Sequence, residues 1–310
     1  MEKIKIITDS TCDLTVEKLK ELDVDFVPAY VIIEGEKFKQ HVNITNDEVY
    51  HQLISEKKTI GSAASSPGEF HKVYEKALTE ADSLIVLTVH GKLSAMYSTA
   101  RMVAEKFFPK RDITVIDTKT ASFAHAVLVQ EAAELVKLGK TKAEIIDRIR
   151  YLSEHAKALP LLDTLEYLYR GGRIKLYQKL LGNLLGVKAL VRIDKKGSNL
   201  DAKVKGRKNA LIHLKMCGLQ LLDRLLIKRF YVAYTDNKTL AEDVAEFLRE
   251  NGPEDVEILT GQLGSVVGVH GGNDVVGFGF VGDYNVEMFT KVGESTKYSA
   301  ILKKLFGVKG

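Results

Sequence analysis

Apolar runs of strand length recur through the first half of this chain, and helical segments of ten residues or more separate them. Lys5 to Thr8, Leu84 to Val89 and Ile113 to Ile116 are such runs. A hairpin needs only a few connecting residues, so connections this long impose parallel pairing with right-handed crossovers. The punctuation between the runs is helical. Thr15 to Leu22 reads as a short helix, and Thr45 with Glu48 is a capping box ahead of a helix through Ile54. Ser66, Pro67 and Glu69 open another through Leu78, with proline at its first position. Helices follow from about Ala95 to Phe107, then up to Leu138 before Gly139, then from Thr141 with Glu144 through His155. Val24 to Ile33 reads as a single strand, turned by Glu34-Gly35.

The pattern changes near Ala158-Leu159-Pro160. Leu165 to Leu185 is leucine-rich and broken by Gly171-Gly172 and Gly182. Lys188 to Ile193 and Leu200 to Val204 flank Lys195-Lys196-Gly197 as an antiparallel hairpin. A helix from about Asn209 to Leu226 follows. Phe230 to Thr235, the helix Leu240 to Glu250 and Val256 to Leu259 add one more βαβ unit. The expected architecture is α/β with two α/β domains. Residues 1–158 form an N-terminal domain with a mostly parallel sheet and flanking helices; residues 159–310 form a C-terminal domain with a mixed sheet and helices. Asp283 to Gly310 turns polar and then basic (Lys303, Lys304, Lys309), as a loosely attached tail would. A chain of 310 residues can bury a core in each half.

Composition removes several function classes. With 45% hydrophobic and 28% charged residues the chain is globular. A net charge of +4 is too mild to argue for nucleic acid. Cys12 and Cys217 offer neither a disulfide framework nor a metal spacing, which points to a reducing compartment. The apolar start is broken by Asp9 too early for a signal peptide, and no run reaches the roughly 18 apolar residues of a membrane span. A cytoplasmic protein without membrane insertion is expected. No G-x-S-x-G elbow, phosphate loop, H-E-x-x-H or C-x-x-C occurs. The glycines at 268, 271, 272, 277 and 279 do not open a helix after a first strand, so no cofactor and no metal is expected.

Ligands of open α/β sheets bind beyond the carboxyl ends of strands. Asp9-Ser10-Thr11, Ser62 to Ser66, Lys92-Leu93-Ser94 and Asp117-Thr118 supply hydroxyls at such places. Hydroxyls and backbone amides suit a carboxylate or phosphate, because they donate without carrying a charge that must be desolvated. Taken alone, Ser66, and Ser94 after it, read first as nothing more than helix caps, since capping serines are common at such positions. His270, between glycines at 268, 271 and 272, is readable as a ligand contact or as a structural hydrogen bonder. Ser94, His270 and Asp117 make a triad only on paper. Lys188, Arg192, Lys195, Lys196, Lys203, Lys205, Arg207 and Lys208 cluster, either as a docking face for an acidic partner or nucleotide phosphate, or as solvated charge protecting a sheet edge.

At these residues the chain resembles the DegV family of bacterial fatty acid-binding proteins, the acyl-carrying partners of fatty acid kinase. Thr8-Asp9-Ser10-Thr11-Cys12-Asp13-Leu14 looks like its first motif, and Leu168-Tyr169-Arg170-Gly171-Gly172-Arg173-Ile174 with Leu184-Leu185-Gly186-Val187-Lys188 is similar to its most specific block. The resemblance covers residues 1 to about 280. It implies a long-chain fatty acid in an apolar tunnel between two domains, its carboxylate presented to a kinase that forms an acyl phosphate for phospholipid synthesis. Ser62 stands where the family's T-S-x-P-S motif has its threonine, Ser94 keeps the serine of its L-S-G-T motif, and His270 matches the late histidine; these three are the implied ligand-binding residues. Lys205 stands where a partner-contacting arginine is expected, with Arg207 nearby, and Arg173 is expected at the tunnel mouth; these three are the implied partner contacts. Ala95 and Met96 replace the glycine and threonine after Ser94, and Gly272-Asn273 replaces the usual residues after Gly271. No catalysis is implied. The alternatives are an enzyme acting on a small acyl or phosphorylated substrate through Ser94 and His270, and a regulatory module docking through residues 188–208.

Overall fold

The computed structural model describes residues 2–56, 58–174, 186–292, 297, 298, 300, 301 and 305. Its strands are β1 (Ile4–Asp9), β2 (Val24–Val27), β3 (Tyr30–Ile33), β4 (Glu36–Lys39), β5 (Ile60–Ala63), β6 (Ser83–Thr88) and β7 (Asp112–Asp117). After these come β8 (Ala156–Leu162), β9 (Val187–Asp194), β10 (Gly197–Lys205), β11 (Leu225–Tyr234), β12 (Glu257–Gln262) and β13 (Val276–Gly282). The helices are α1 (Val16–Glu21), α2 (Asn46–Ile54), α3 (Pro67–Ala77), α4 (Met96–Phe107), α5 (Ser122–Lys137) and α6 (Lys142–Ser153). Beyond them lie α7 (Glu166–Arg170), α8 (Arg207–Leu222), α9 (Lys238–Asn251), α10 (Ser265–Gly271) and α11 (Glu287–Thr290).

The expected parallel sheet is present, in the order β2-β1-β6-β7. Every residue of β1 and β6 is buried, as in a sheet covered on both faces. Both capping boxes form: Thr45 and Glu48 exchange bonds of 2.8 and 3.2 Å, and Thr141 and Glu144 bonds of 2.9 and 3.3 Å. The second sheet is mixed, in the order β10-β9-β8-β13-β11-β12, with β11 and β12 parallel about α9 and β9–β10 as the expected hairpin. The chain crosses into this sheet at Ala156, where β8 begins.

Helix α5 joins the halves. It is apolar nearly all round and buried on most of its surface, so it belongs between layers and not on one. One apolar core accordingly runs from Ile6 and Leu84 through Val127 to Ile193 and Tyr231. A second lies around Phe230, Phe278 and Phe280 beneath α8 and α9.

Four expectations need correction. The run from Val24 to Ile33 is two strands: it breaks before Ala29, where Pro28 has no N–H for a ladder, and the Ala29 N–H donates to Ser10 Oγ at 2.9 Å instead. β3 then belongs to a three-stranded sheet, β4-β3-β5, whose last strand was not expected at all. β13 was hidden by its glycines, yet it is a central strand. A methyl on Gly279 would lie 2.7 Å from the Ala124 nitrogen, and one on Gly277 2.5 Å from the Leu159 carbonyl oxygen, so only glycine admits this contact with α5 and β8. The C-terminal stretch is anchored at its start: Met288, Phe289, Val292 and Tyr298 are buried in the second core, and Tyr298 Oη donates to Asp223 at 2.8 Å. Lys303, Lys304 and Lys309, like Gly182, Leu184 and Leu185, lie outside the described residues.

Candidate functional site

An internal cavity of about 110 Å³ lies between the two large sheets. Its walls are apolar, with Val89 and Phe123 from the first half and Leu162, Ile193 and Phe278 from β8, β9 and β13. An apolar void of this size, left empty, costs roughly 2 to 3 kcal/mol at about 24 cal/mol per Å³. The walls also include Ser62, Ser94, Arg173 and His270.

Four separate elements carry these side chains. Ser62 sits on β5, paired to Val31 of β3. Ser94 follows β6, lines the cavity and accepts the Met96 N–H at 3.3 Å just ahead of α4, whose N-cap is Ala95. His270 lies near the end of α10, which packs on β5, and its Nε2 is 2.8 Å from Ser62 Oγ. Arg173 follows α7; its Nε donates to the Leu93 carbonyl at 3.1 Å and Nη1 to the Gly171 carbonyl at 2.5 Å. It therefore clamps the loop that carries Ser94. Partial burial lowers the pKa of its guanidinium, which nonetheless stays charged.

Burial, reinforced by the charge on Arg173, pushes the His270 imidazole down to about 3. The folded chain thus keeps this ring neutral where an unfolded one, near 6.5, takes a proton. With more protons on the unfolded state between those values, stability falls as the pH drops from about 6.5 towards 3. Urea unfolding of wild type and His270→Gln at pH 7, 5.5 and 4.5 checks this (pH values chosen at about unit spacing across the window). The variant should lose part of the acid-side slope, and identical slopes would place the titration elsewhere.

The other expected hydroxyls are spent on scaffolding, Thr11 while also lining the cavity. Asp9 accepts the Thr11 N–H at 3.0 Å and the Val89 N–H at 2.8 Å, tying the loop after β1 to the one after β6. Ser65 donates to the Pro28 carbonyl, and Thr118 to the Thr88 carbonyl at 2.8 Å. Ser66 stands at the N-cap of α3 without a side-chain bond. The triad on paper does not assemble. His270 meets Ser62 and not Ser94, while Asp117 accepts from the Gly91 and Lys119 amides at 3.2 and 2.9 Å. Among the described residues no carboxylate hydrogen-bonds His270.

The basic cluster divides. Lys188 pairs with Asp163 at 2.6 Å, Arg192 with Asp201 at 2.9 Å, and Arg207 with Asp163 while also donating to the Asp274 carbonyl at 2.9 Å. Arg207 is thus held into the fold and does not line the cavity. Lys203 and Lys205 are exposed on β10, an edge strand. What sequence reasoning missed is why the Gly-Gly pair precedes Arg173. A methyl on Gly171 would lie 2.1 Å from His270 Nδ1, so the histidine ring packs directly on that glycine. Gly172 instead has open space but a φ of +71°.

A family model described as uncharacterised proteins of the DegV family matches residues 3–283. A DegV domain-containing protein of Caldanaerobacter subterraneus subsp. tengcongensis is 30% identical over 284 residues, which span 90% of this chain and 99% of that one. Among solved structures, a fatty acid-binding DegV family protein from Thermus thermophilus is 31% identical with a TM-score of 0.80, covering 91% of this chain and 100% of its own. A DegV lipid-binding protein from Thermotoga maritima is 26% identical with a TM-score of 0.78, covering 90% and 98%.

Proposed function

The chain belongs to the DegV family, and on that premise we propose that it holds a long-chain fatty acid in the cavity and presents the carboxylate to a partner kinase. The observation that carries this function is the convergence of Ser62, Ser94, His270 and Arg173 on a cavity whose remaining walls are apolar apart from Thr11, Ser122 and Ser198. The fatty acid binding of the Thermus thermophilus relative supports the ligand class. Burying a C16 chain at about 0.8 kcal/mol per CH₂ is worth roughly 10 kcal/mol gross, from which association costs take several. The chain supplies affinity and the polar groups supply orientation. A carboxylate only accepts hydrogen bonds, so the tautomer that serves it has His270 Nε2–H donating to Ser62 Oγ, leaving the Ser62 proton for the ligand. In that tautomer His270 cannot act as a base toward Ser62. The alternative enzyme was read through Ser94 and His270, and among the described residues His270 meets Ser62 and not Ser94.

Ser62→Ala and Ser94→Ala should each weaken palmitate binding by about 1 to 3 kcal/mol, since a buried carboxylate oxygen loses its donor. Isothermal titration reads this, and unchanged affinity in both variants would return the serines to structural roles.

In the presented state a carboxylate oxygen bonds to the terminal phosphorus of ATP as the bond to ADP breaks, with the nucleotide held by the kinase. Docking is best tested at Lys205, because it is exposed and enters no ion pair among the described residues. Lys205→Glu should leave palmitate affinity unchanged and slow phosphoryl transfer by a fatty acid kinase, the more so at low salt, where exposed charges act over longer distances. Arg207→Glu is a poorer probe, since it would set a carboxylate against Asp163. If Lys205→Glu alters neither quantity, β10 is a charged sheet edge and nothing more.

A further inference from the structure

Beside the cavity a separate surface depression of about 400 Å³ opens beyond the carboxyl ends of β6 and β7. His90, Lys92, Tyr97, Asp117 and Lys119 line it from the first sheet, and Lys195 reaches it from the β9–β10 turn. Three lysines therefore line one small space. The Lys92 ammonium enters no ion pair among the described residues, and Lys92 is exposed. Lys119 and Lys195 share a single carboxylate, Glu154, with Lys195 at 2.9 Å. The charge on Asp117 is turned onto the Gly91 and Lys119 amides. His90 is buried beneath them. Its side chain is 3% exposed, its Nδ1 accepts the Lys92 N–H at 3.3 Å, and its Nε2 is buried with no partner. Nδ1 also lies 3.6 Å from the Asp117 carboxylate, and Nε2 is shielded from solvent.

The same five-residue loop, 90–94, lines this depression and the cavity. Lys92 is two residues from Ser94, and the intervening Leu93 carbonyl is the one that Arg173 holds. We infer that the depression takes a phosphate group, set next to the ligand carboxylate. Lysines bind phosphate as point charges, and the three of them outnumber the carboxylates of Glu154 and Asp117, which leaves a net positive field for it. The assignment of that phosphate to acyl phosphate chemistry rests on the proposed carrier function; the site itself rests on the lysines.

The test is amide and lysine ammonium NMR of the full chain on addition of inorganic pyrophosphate, with ionic strength held constant by chloride. Saturable shifts are expected at Gly91, Lys92, Lys119 and Lys195. The double variant Lys92→Ala, Lys195→Ala should bind pyrophosphate at least tenfold more weakly, and both side chains are exposed, so the fold is expected to survive. Glu154→Gln should bind it several-fold more tightly, because it releases Lys119 and Lys195. A solvated charge run would not gain affinity in that way. Shifts that do not saturate, or affinities equal in wild type and both variants, would overturn the site. If a non-hydrolysable acyl phosphonate in the cavity reproduces the shifts unaided, the phosphate is the product's; if pyrophosphate is needed with palmitate in place, it is the donor's. Palmitate affinity on the same samples separates the two proposals. Lost pyrophosphate binding with normal palmitate binding removes only the phosphate site, and absent palmitate binding removes only the carrier function.

Discussion

Reversing Arg173 to glutamate should lower palmitate affinity more than a hundredfold. Arg173 lines the cavity together with Ser62, Ser94 and His270, and among the described residues it is the one lining that cavity with a fixed charge. A charged hydrogen bond is worth about 1.5 to 3 kcal/mol, and a second carboxylate in its place adds like-charge repulsion in a site shielded from water. Together these exceed about 3 kcal/mol, which is over two decades in affinity. Arg173→Lys should retain part of the binding, since the charge survives and the planar two-point grip does not. Titration calorimetry with palmitate distinguishes these outcomes. Full affinity in Arg173→Glu would leave Arg173 with the partner-facing role implied by the family resemblance alone.

The adjacent glycines should respond in opposite ways. Gly171→Ala places a methyl 2.1 Å from His270 Nδ1 and 3.2 Å from the Tyr167 carbonyl oxygen, so the ring must move and the 2.8 Å contact with Ser62 is lost. At least a tenfold loss of palmitate affinity is expected, with little change in melting temperature. Gly172→Ala meets no neighbour but must hold a left-handed backbone at φ +71°, which costs about 1 to 2 kcal/mol. It should melt earlier and still bind. Equal behaviour of the two variants, measured by calorimetry and thermal melts, would deny Gly171 its role under the histidine.

Much of the fold was legible because local chemistry agreed with it. The Thr45–Glu48 and Thr141–Glu144 boxes mark helix starts with their own side chains. β1 and β6 are apolar throughout because both faces are covered. β13 was not legible, because glycines at 277 and 279 are selected by the backbone of α5 and β8, which no local pattern contains. β5 is four half-buried residues without alternation. It is nonetheless the strand that carries Ser62. The serines and His270 could be named one by one from sequence and family resemblance, but their meeting could not. Ser62 and His270 stand 208 residues apart and come together only through α10 packing on β5. Asp9-Ser10-Thr11 looked equally suited to a ligand, and the fold uses Asp9 to brace the Val89 amide instead. Arg207 looked free in sequence because Asp163 and Asp274, its partners, lie far from it along the chain.

The central claim concerns what fills the cavity. Native mass spectrometry of the purified full-length chain, followed by solvent extraction of whatever it carries, examines that directly. The expected result is one long-chain monocarboxylic acid per chain, released on denaturation and rebound by the wild type from added palmitate or oleate. A chain that carries no acid and takes up neither palmitate nor oleate would contradict it.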